Sequence, residues 1–511
     1  MITLAVIIGL AAALYLYLTR TFDYWQKRGV KHDKPWPLFG TNAKNFFMQA
    51  TIVQVASETY RKYPGEKLVG FYRSSNPELL IRDPALAKSI FTTDFSSFHR
   101  RGILPGDVEP EPLQMHQFVV DDDLWRLMRI RMTPAFSSGK LKAMFPLIVD
   151  RAERLQARLQ RVGGKEAVEA RDLMARYTTD VIGTVGFGII SDSLNDDNDA
   201  FRALGRKIFS FSSSKLFKLF LKNLLPRIFG YLKAFSGEIE GDVVGMVKSI
   251  MQQRNYEPCG RHDFIDLLLE CKKKGAMSGE SIVETNADSS PKKVSFEMND
   301  EIMAAQCFVF FVAGFETSSS ATSFTLHELA HNQGAQRKAQ EEIDRVLAKH
   351  NNKLCYDAIS EMTYLRWCLN EALRKYPPLG FLQRKCARTH TFPEINVTVD
   401  PGVKVIIPIE AYHNDPEIFP EPQEFRPERF DPEVITPQQK VAYLPFGEGL
   451  RNCIGERLGL MQSMAGLAAV LAQCTVTPVP GRARKLKFDK ISVITNPVDG
   501  VPLIFQQRKV Q

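Results

Sequence analysis

The run Pro445-Phe446-Gly447-Glu448-Gly449-Leu450-Arg451-Asn452-Cys453-Ile454-Gly455 constrains this chain more than any other stretch, because it sets one cysteine in surroundings that few structures need. Glycines at 447, 449 and 455 permit tight turns and a close approach of backbone to a flat ligand. Arg451, two residues before Cys453, favours thiolate over thiol. The chemistry that follows is a soft, anionic metal ligand. The competing reading is a loop around a buried structural cysteine, the usual state of an isolated one.

The rest of the composition narrows the setting. At 511 residues the chain can bury a large core, and no obvious linker divides it. Its 66 Lys and Arg against 58 Asp and Glu leave a charge of +8, and no basic tract points to nucleic acid. The eight cysteines contain no C-x-x-C pair, which argues against a disulfide framework, an iron-sulfur cluster or a structural zinc site. Residues 2–18 are almost wholly apolar and long enough to span a bilayer. Arg20, Lys27, Arg28, Lys31 and Lys34 follow them, so positive-inside bias puts the bulk of the chain in the cytosol. Prolines in Lys34-Pro35-Trp36-Pro37 stiffen the exit from the membrane.

Helical periodicity dominates from about residue 120 to 376, and β-branched stretches such as Val403–Ile407 take over after Pro377. Lys67–Phe71 reads as a strand, and the polar segment Lys272–Glu297 reads as a mobile surface loop. Asn299-Asp300-Glu301 supplies a cap and an acidic first turn for a long buried helix that opens with the apolar run Ile302–Phe315. Glu456–Gln473 reads as a helix whose first N–H groups point at Cys453.

Further clusters carry chemistry or imitate it. In Ala313-Gly314-Phe315-Glu316-Thr317 an acid and a hydroxyl interrupt an apolar helix. Either Glu316 faces solvent and Thr317 bonds a carbonyl one turn back, or Gly314 and Thr317 open a gap for small molecules. Trp125 and Arg129 lie four apart on one helical face, as a packed Trp with a solvated Arg or as a carboxylate clamp. Glu371 and Arg374, in isolation, are an ordinary helical pair. His327-Glu328-Leu329-Ala330-His331 matches the H-E-x-x-H of zinc peptidases, but Arg337 stands where the longer form of that motif needs a third histidine. Between Asp199 and Glu238 eight basic residues interleave with Phe209, Phe211, Phe217, Phe220, Leu221, Leu224, Leu225 and Phe229, a solvated face over a core helix or a surface that dips into lipid.

Taken in order, anchor, proline hinge, W-x-x-x-R, A-G-x-E-T, E-x-x-R, Pro427-Glu428-Arg429-Phe430 and F-x-x-G-x-x-x-C-x-G, the chain resembles the cytochrome P-450 superfamily over nearly its whole length. The wording of Phe308–Thr317 and Thr133–Phe136 is most similar to insect microsomal, xenobiotic-metabolising members. The resemblance implies a mainly α fold with a smaller β region after an N-terminal transmembrane helix. It divides the chain into an anchor (1–20), a hinge (21–40) and one catalytic domain (41–511).

It also implies haem b, iron protoporphyrin IX, with Cys453 as axial iron ligand, and Trp125, Arg129, Phe446, Arg451, Arg384 and Arg100 around the cofactor. Thr317 orders a proton relay that Glu316 assists. Glu371, Arg374 and Arg429 form a buried structural network. Phe308, Phe311, Val312, Phe315, Leu379, Phe381 and the loop His99–Gln117 line an apolar pocket. The expected activity is insertion of one oxygen atom from O2 into lipophilic substrates. No G-x-G-x-x-G follows a strand, so NADPH acts only through a partner, NADPH-cytochrome P-450 reductase, with cytochrome b5 as an accessory. Arg126, Arg131, Lys140 and Lys142 offer a basic docking surface. The expected location is the endoplasmic reticulum membrane, facing the cytosol. Rival readings are an endogenous lipid or hormone hydroxylase, an oxygen-independent rearranging enzyme, a haem sensor and the zinc peptidase.

Overall fold

The central element is one helix, Asp300–His331, and the other helices are arranged around it. Asn299 caps it by accepting the Ile302 N–H at 2.9 Å, and Asp300 and Glu301 complement the helix dipole in the first turn. The computed structural model describes residues 2–105, 108–162, 164, 166–189, 191–209, 217–218, 221–222, 226–492 and 494–508. Against the central helix pack Ala170–Ile182, Thr363–Lys375 and Glu456–Gln473, the last beginning three residues after Cys453 as its sequence suggests. Helix Ala170–Ile182 approaches so closely that a Cβ on Gly314 would stand 2.4 Å from Ile182 Cδ1. The glycine therefore serves close packing, and the helix runs through it as regular α rather than opening a gap.

The β region is small and lies to one side. Four strands run in the order Leu68–Arg73, Asn76–Ile81, Lys404–Ile407, Leu382–Lys385, with only the middle pairing parallel. A second sheet joins Cys474–Pro478, Pro502–Gln507 and Ala167–Glu169. The segment after the N-terminal helix is docked on the first sheet. Trp25 is fully buried, its indole N–H donates to the Phe71 carbonyl at 3.2 Å, and Arg28 pairs with Asp400 at 2.5 Å.

Among the described residues two helices are long and apolar enough to cross a membrane. Ile2–Thr19 has no buried residue, whereas 61% of the most apolar window of Asp300–His331 is buried inside the protein, so the first is the candidate anchor and the second is core.

The segment expected as a mobile loop is instead a β-hairpin, Met277–Thr285 with Pro291–Phe296. Its polar composition concealed how it is held. Asp123, buried on helix Asp122–Met132, accepts Ser281 Oγ at 2.6 Å and the Ile282 N–H at 2.7 Å, while Met277, Val294 and Phe296 turn toward the core. Of the basic and aromatic stretch between 199 and 238, Phe211, Lys215, Phe220, Leu224 and Leu225 lie outside the described residues, as do Gly106 and Asp107 of the 99–117 loop.

Candidate active site

Cys453 lies deep in the protein, yet its side chain is accessible, so it borders an internal space rather than packed core. The loop that presents it depends on Gly449, with φ +73°, where a Cβ would stand 2.0 Å from the Phe91 carbonyl oxygen. The Cys453 N–H donates to the Phe446 carbonyl at 2.8 Å, which closes the turn beneath the thiol. Burial pushes the thiol up; the Gly455 N–H and the cations Arg101 and Arg129 pull the other way. The sequence expectation that Arg451 makes it a low-pKa thiolate is corrected, because Arg451 turns toward Trp125 and Asp121 instead.

Four arginines converge around the loop. Arg129 donates to Asn452 O at 3.0 Å and Asn452 Oδ1 at 2.6 Å. The Arg451 guanidinium stacks 4.0 Å over the Trp125 ring and pairs with Asp121 at 2.9 Å, and burial draws it down to about 9. Arg384 sits 4.7 Å over the Phe91 ring, its ionisation pushed well down by burial and by the nearby charges of Arg101 and Arg451. Arg101, which the sequence reading passed over, donates to the Arg451 carbonyl at 2.8 Å. Arg100, expected at the cofactor, bonds Asp122 at 2.6 Å. Consecutive residues of an extended segment point to opposite sides, so only one of the two can turn inward.

This donor set fits haem. Arg451 Nε and Nη1 and Arg384 Nε are buried with no partner, and Asp121, with Asp122 beside it, faces several cations at once. Buried cations with idle donors are costly unless an anion meets them, and a porphyrin brings two carboxylates.

On the central helix the acid and the hydroxyl part company. Glu316 ion-pairs with Arg171, which also holds Asn496 Oδ1 at 2.5 Å, so it is neither free nor solvent-facing; burial pushes its pKa up, against the pull of Arg171 and Arg202. Thr317 Oγ1 donates to the Ala313 carbonyl at 2.6 Å, and Ala313 itself is exposed amid buried neighbours. Gln462 was missed by the sequence reading. Its amide donates to Gly314 O at 2.8 Å and Ser318 Oγ at 2.6 Å, tying the helix that follows Cys453 to the Ala313–Thr317 segment. No sequence signal announces such a bond, since a lone Gln on an apolar helix matches no motif.

The expected pocket lining is corrected in part. Phe308, Phe311 and Phe315 fall on one helical face and are buried, Phe308 against Phe235 at 5.1 Å, Phe311 against Phe201 at 4.4 Å, and Phe315 against Phe311 at 5.1 Å. Val309, Val312 and Ala313 on the other side retain exposure, as do Leu379 and Phe381. The aromatic bulk found its burial between helices.

Glu371, Arg374 and Arg429 do meet. Arg374 forks onto Glu371 at 2.8 and 3.0 Å and caps the carbonyls of His413 and Pro422, and Arg429 Nε lies 3.3 Å from Glu371. The H-E-x-x-H residues are otherwise engaged. Glu328 is buried with Lys375, Arg484 and the Tyr376 hydroxyl, and His327 Nε2 meets the Arg484 carbonyl at 2.9 Å. The basic surface expected for docking is largely spent within the chain: Arg126 on Glu280 O, Arg131 on three carbonyls, Lys140 on Glu270 at 2.9 Å and Lys142 on Asp357 at 3.1 Å.

A sequence profile described as Cytochrome P450 matches residues 31–502. Similar proteins include Cytochrome P450 6a2 of Drosophila melanogaster, 37% identical with 96% of each chain covered. Cytochrome P450 6B7 of Helicoverpa armigera is 33% identical over 99% of this chain and 98% of its own, and Cytochrome P450 6d1 of Musca domestica is 34% identical over 97% and 98%. The chain belongs to the cytochrome P450 family. Its activity class is that of a haem-thiolate monooxygenase, an oxidoreductase that takes O2 and an organic substrate.

Proposed function

We propose that this enzyme hydroxylates or epoxidises lipophilic molecules, xenobiotics foremost, using haem b and electrons from NADPH delivered by NADPH–cytochrome P450 reductase, with cytochrome b5 as an accessory donor. Residues 1–20 anchor it in the endoplasmic reticulum membrane, 21–40 form the hinge, and 41–511 are one catalytic domain facing the cytosol. The observation that supports this reading best is the accessible Cys453 thiol deep among four arginines, of which Arg384 and Arg451 keep idle buried donors.

Bound haem supplies the dioxygen and one-electron chemistry. The residues of the chain do the rest. Cys453 would hold the iron as thiolate, and Arg101 and Arg129 would offset that buried charge. Arg451 and Arg384, steadied by Trp125 and Phe91, receive the carboxylates, and Phe446 packs beneath the loop. Thr317 Oγ1 has spent its own proton on Ala313 O, so its free lone pairs accept a bond from water and hold that water as a proton donor. Arg171 fixes Glu316 beside this segment. Val309, Val312 and Ala313 present an apolar wall that selects for lipophilic substrates.

The test is the reduced carbon monoxide difference spectrum of wild type and Cys453→Ala. A Soret band at about 450 nm is expected for the wild type alone; its absence from folded, haem-replete wild type overturns the reading. With Thr317→Ala, less product should form per oxygen consumed, and unchanged coupling removes the role given to Thr317.

A further inference from the structure

The hairpin Met277–Phe296 takes no part in the site chemistry, yet its base is fastened to the helix that carries Trp125 and Arg129. Its far end is different in kind. Every residue from Val283 to Lys293 is exposed, and the turn Asn286-Ala287-Asp288-Ser289-Ser290 leads straight into Pro291-Lys292-Lys293. We propose that Ser290 is a phosphorylation site for a proline-directed protein kinase, and that its phosphate opens this end of the hairpin while the base stays attached.

Three observations carry the assignment. A proline after the acceptor brings no N–H to satisfy in a kinase groove and biases the serine toward extended backbone. Lysines two and three residues on supply cations for an acidic or phosphorylated kinase surface. Ser290 is the chain's one serine followed by proline, and no threonine-proline pair shares its setting: none of Thr133, Thr436 and Thr477 has a cation within three residues after it. Those three are also held in regular structure. Thr133 bonds the Arg129 carbonyl, Thr436 caps a helix and Thr477 lies in a strand.

In the transfer, Ser290 Oγ attacks the γ-phosphorus of a magnesium-bound nucleoside triphosphate. An O–P bond forms, the β–γ anhydride breaks, the diphosphate departs and the hydroxyl proton passes to the kinase's carboxylate base. The consequence for the turn follows from its bonds. Ser290 N–H and Oγ both donate to Asp288 Oδ1, at 3.0 and 2.5 Å, and Asn286 Nδ2 donates to Ser290 Oγ at 3.0 Å. A phosphate there removes the hydroxyl donor and sets a charge of about −1.5 to −2 against the Asp288 carboxylate, with Lys292 and Lys293 as its new partners. Lys292 is then drawn from Glu284, which it meets at 3.0 Å across the strands. Asp123 keeps its bonds to Ser281 and Ile282.

In the cell this needs the cytosolic orientation proposed above, but purified protein does not, so the two ideas fail separately. Full-length, haem-loaded enzyme is incubated with a proline-directed kinase and magnesium ATP, and the peptides are mapped by mass spectrometry. One phosphoryl group on Ser290 is expected, with incorporation falling ~10-fold or more in Ser290→Ala and in Pro291→Ala, both of which keep the wild-type carbon monoxide spectrum. Incorporation that is absent from the folded protein, or unaffected by Ser290→Ala, overturns the site. Amide exchange should quicken at 284–290 on phosphorylation and stay slow at 281–282; equal protection before and after overturns the opening of the turn.

Discussion

Two buried charge clusters, one around Glu371 and one around the cysteine loop, behave oppositely. Around Glu371 opposite charges meet, although Arg429 Nε makes no hydrogen bond and only approaches the carboxylate at 3.3 Å. One carboxylate takes both arms of Arg374, the Arg426 N–H at 3.0 Å and the approach of Arg429, and Arg374 spends its remaining donors on carbonyls. Around Cys453 the sum does not close, because Arg101, Arg384 and Arg451 share Asp121 and three buried nitrogens of Arg384 and Arg451 have no partner. A closed cluster holds a fold together; an open one of a single sign is built to receive something of the other sign.

The difference can be broken from the closed side first. Arg374→Ala strands Glu371 in the interior and should cost ~3–5 kcal/mol, read as a large loss in denaturant midpoint with or without haem. If the variant denatures like wild type, the structural role is wrong. Arg451→Ala is the matching change on the open side. It should weaken haem retention by about 1.5–3 kcal/mol while leaving the haem-free protein as stable as wild type or more so. Equal losses in both forms would erase the distinction drawn here.

Gln462→Leu probes the link between the two sides of the site. It leaves Gly314 O and Ser318 Oγ without their donor, at roughly 1–3 kcal/mol, and should lower coupling of oxygen use to product as well as stability. A change in stability alone would make Gln462 a packing residue. Near neutral pH the smallest expected effect is a pH dependence of the closed cluster, which grows only on acidification. His413 accepts the Leu444 N–H at Nε2, at 3.1 Å, and turns Nδ1 to the Arg374 carbonyl, so it is held neutral; burial first, then Arg374, lowers it to about 3. A folded value below the unfolded one means full stability above about pH 6.5, lost on acidification at about 1.4 kcal/mol per pH unit until the folded value is reached. His413→Gln should flatten that slope between pH 6 and pH 4 on the order of one such unit.

Much of this was legible in the sequence. The cap at Asn299, the helix after Cys453 and the strands at Leu68–Arg73 and Lys404–Ile407 follow from local rules of capping, periodicity and β-branching. What failed were judgements about which way a side chain turns. Arg100 and Arg101 are indistinguishable as letters, and Phe311 reads as a pocket wall until helix Ala200–Phe209 is seen to lie against it. The hairpin was hidden because its attachment point, Asp123, is some 150 residues distant in sequence.

The sequence alone determined the chemistry: a cysteine in a glycine-rich loop, a hydroxyl on an apolar helix, and cations spaced to meet carboxylates, because reactivity resides in residue types and short spacings. Only the tertiary structure decided which arginines face the thiol, that burial rather than Arg451 governs its proton, and that Glu316 belongs to Arg171. Those outcomes depend on desolvation and on neighbours brought together from distant parts of the chain, and neither quantity is local.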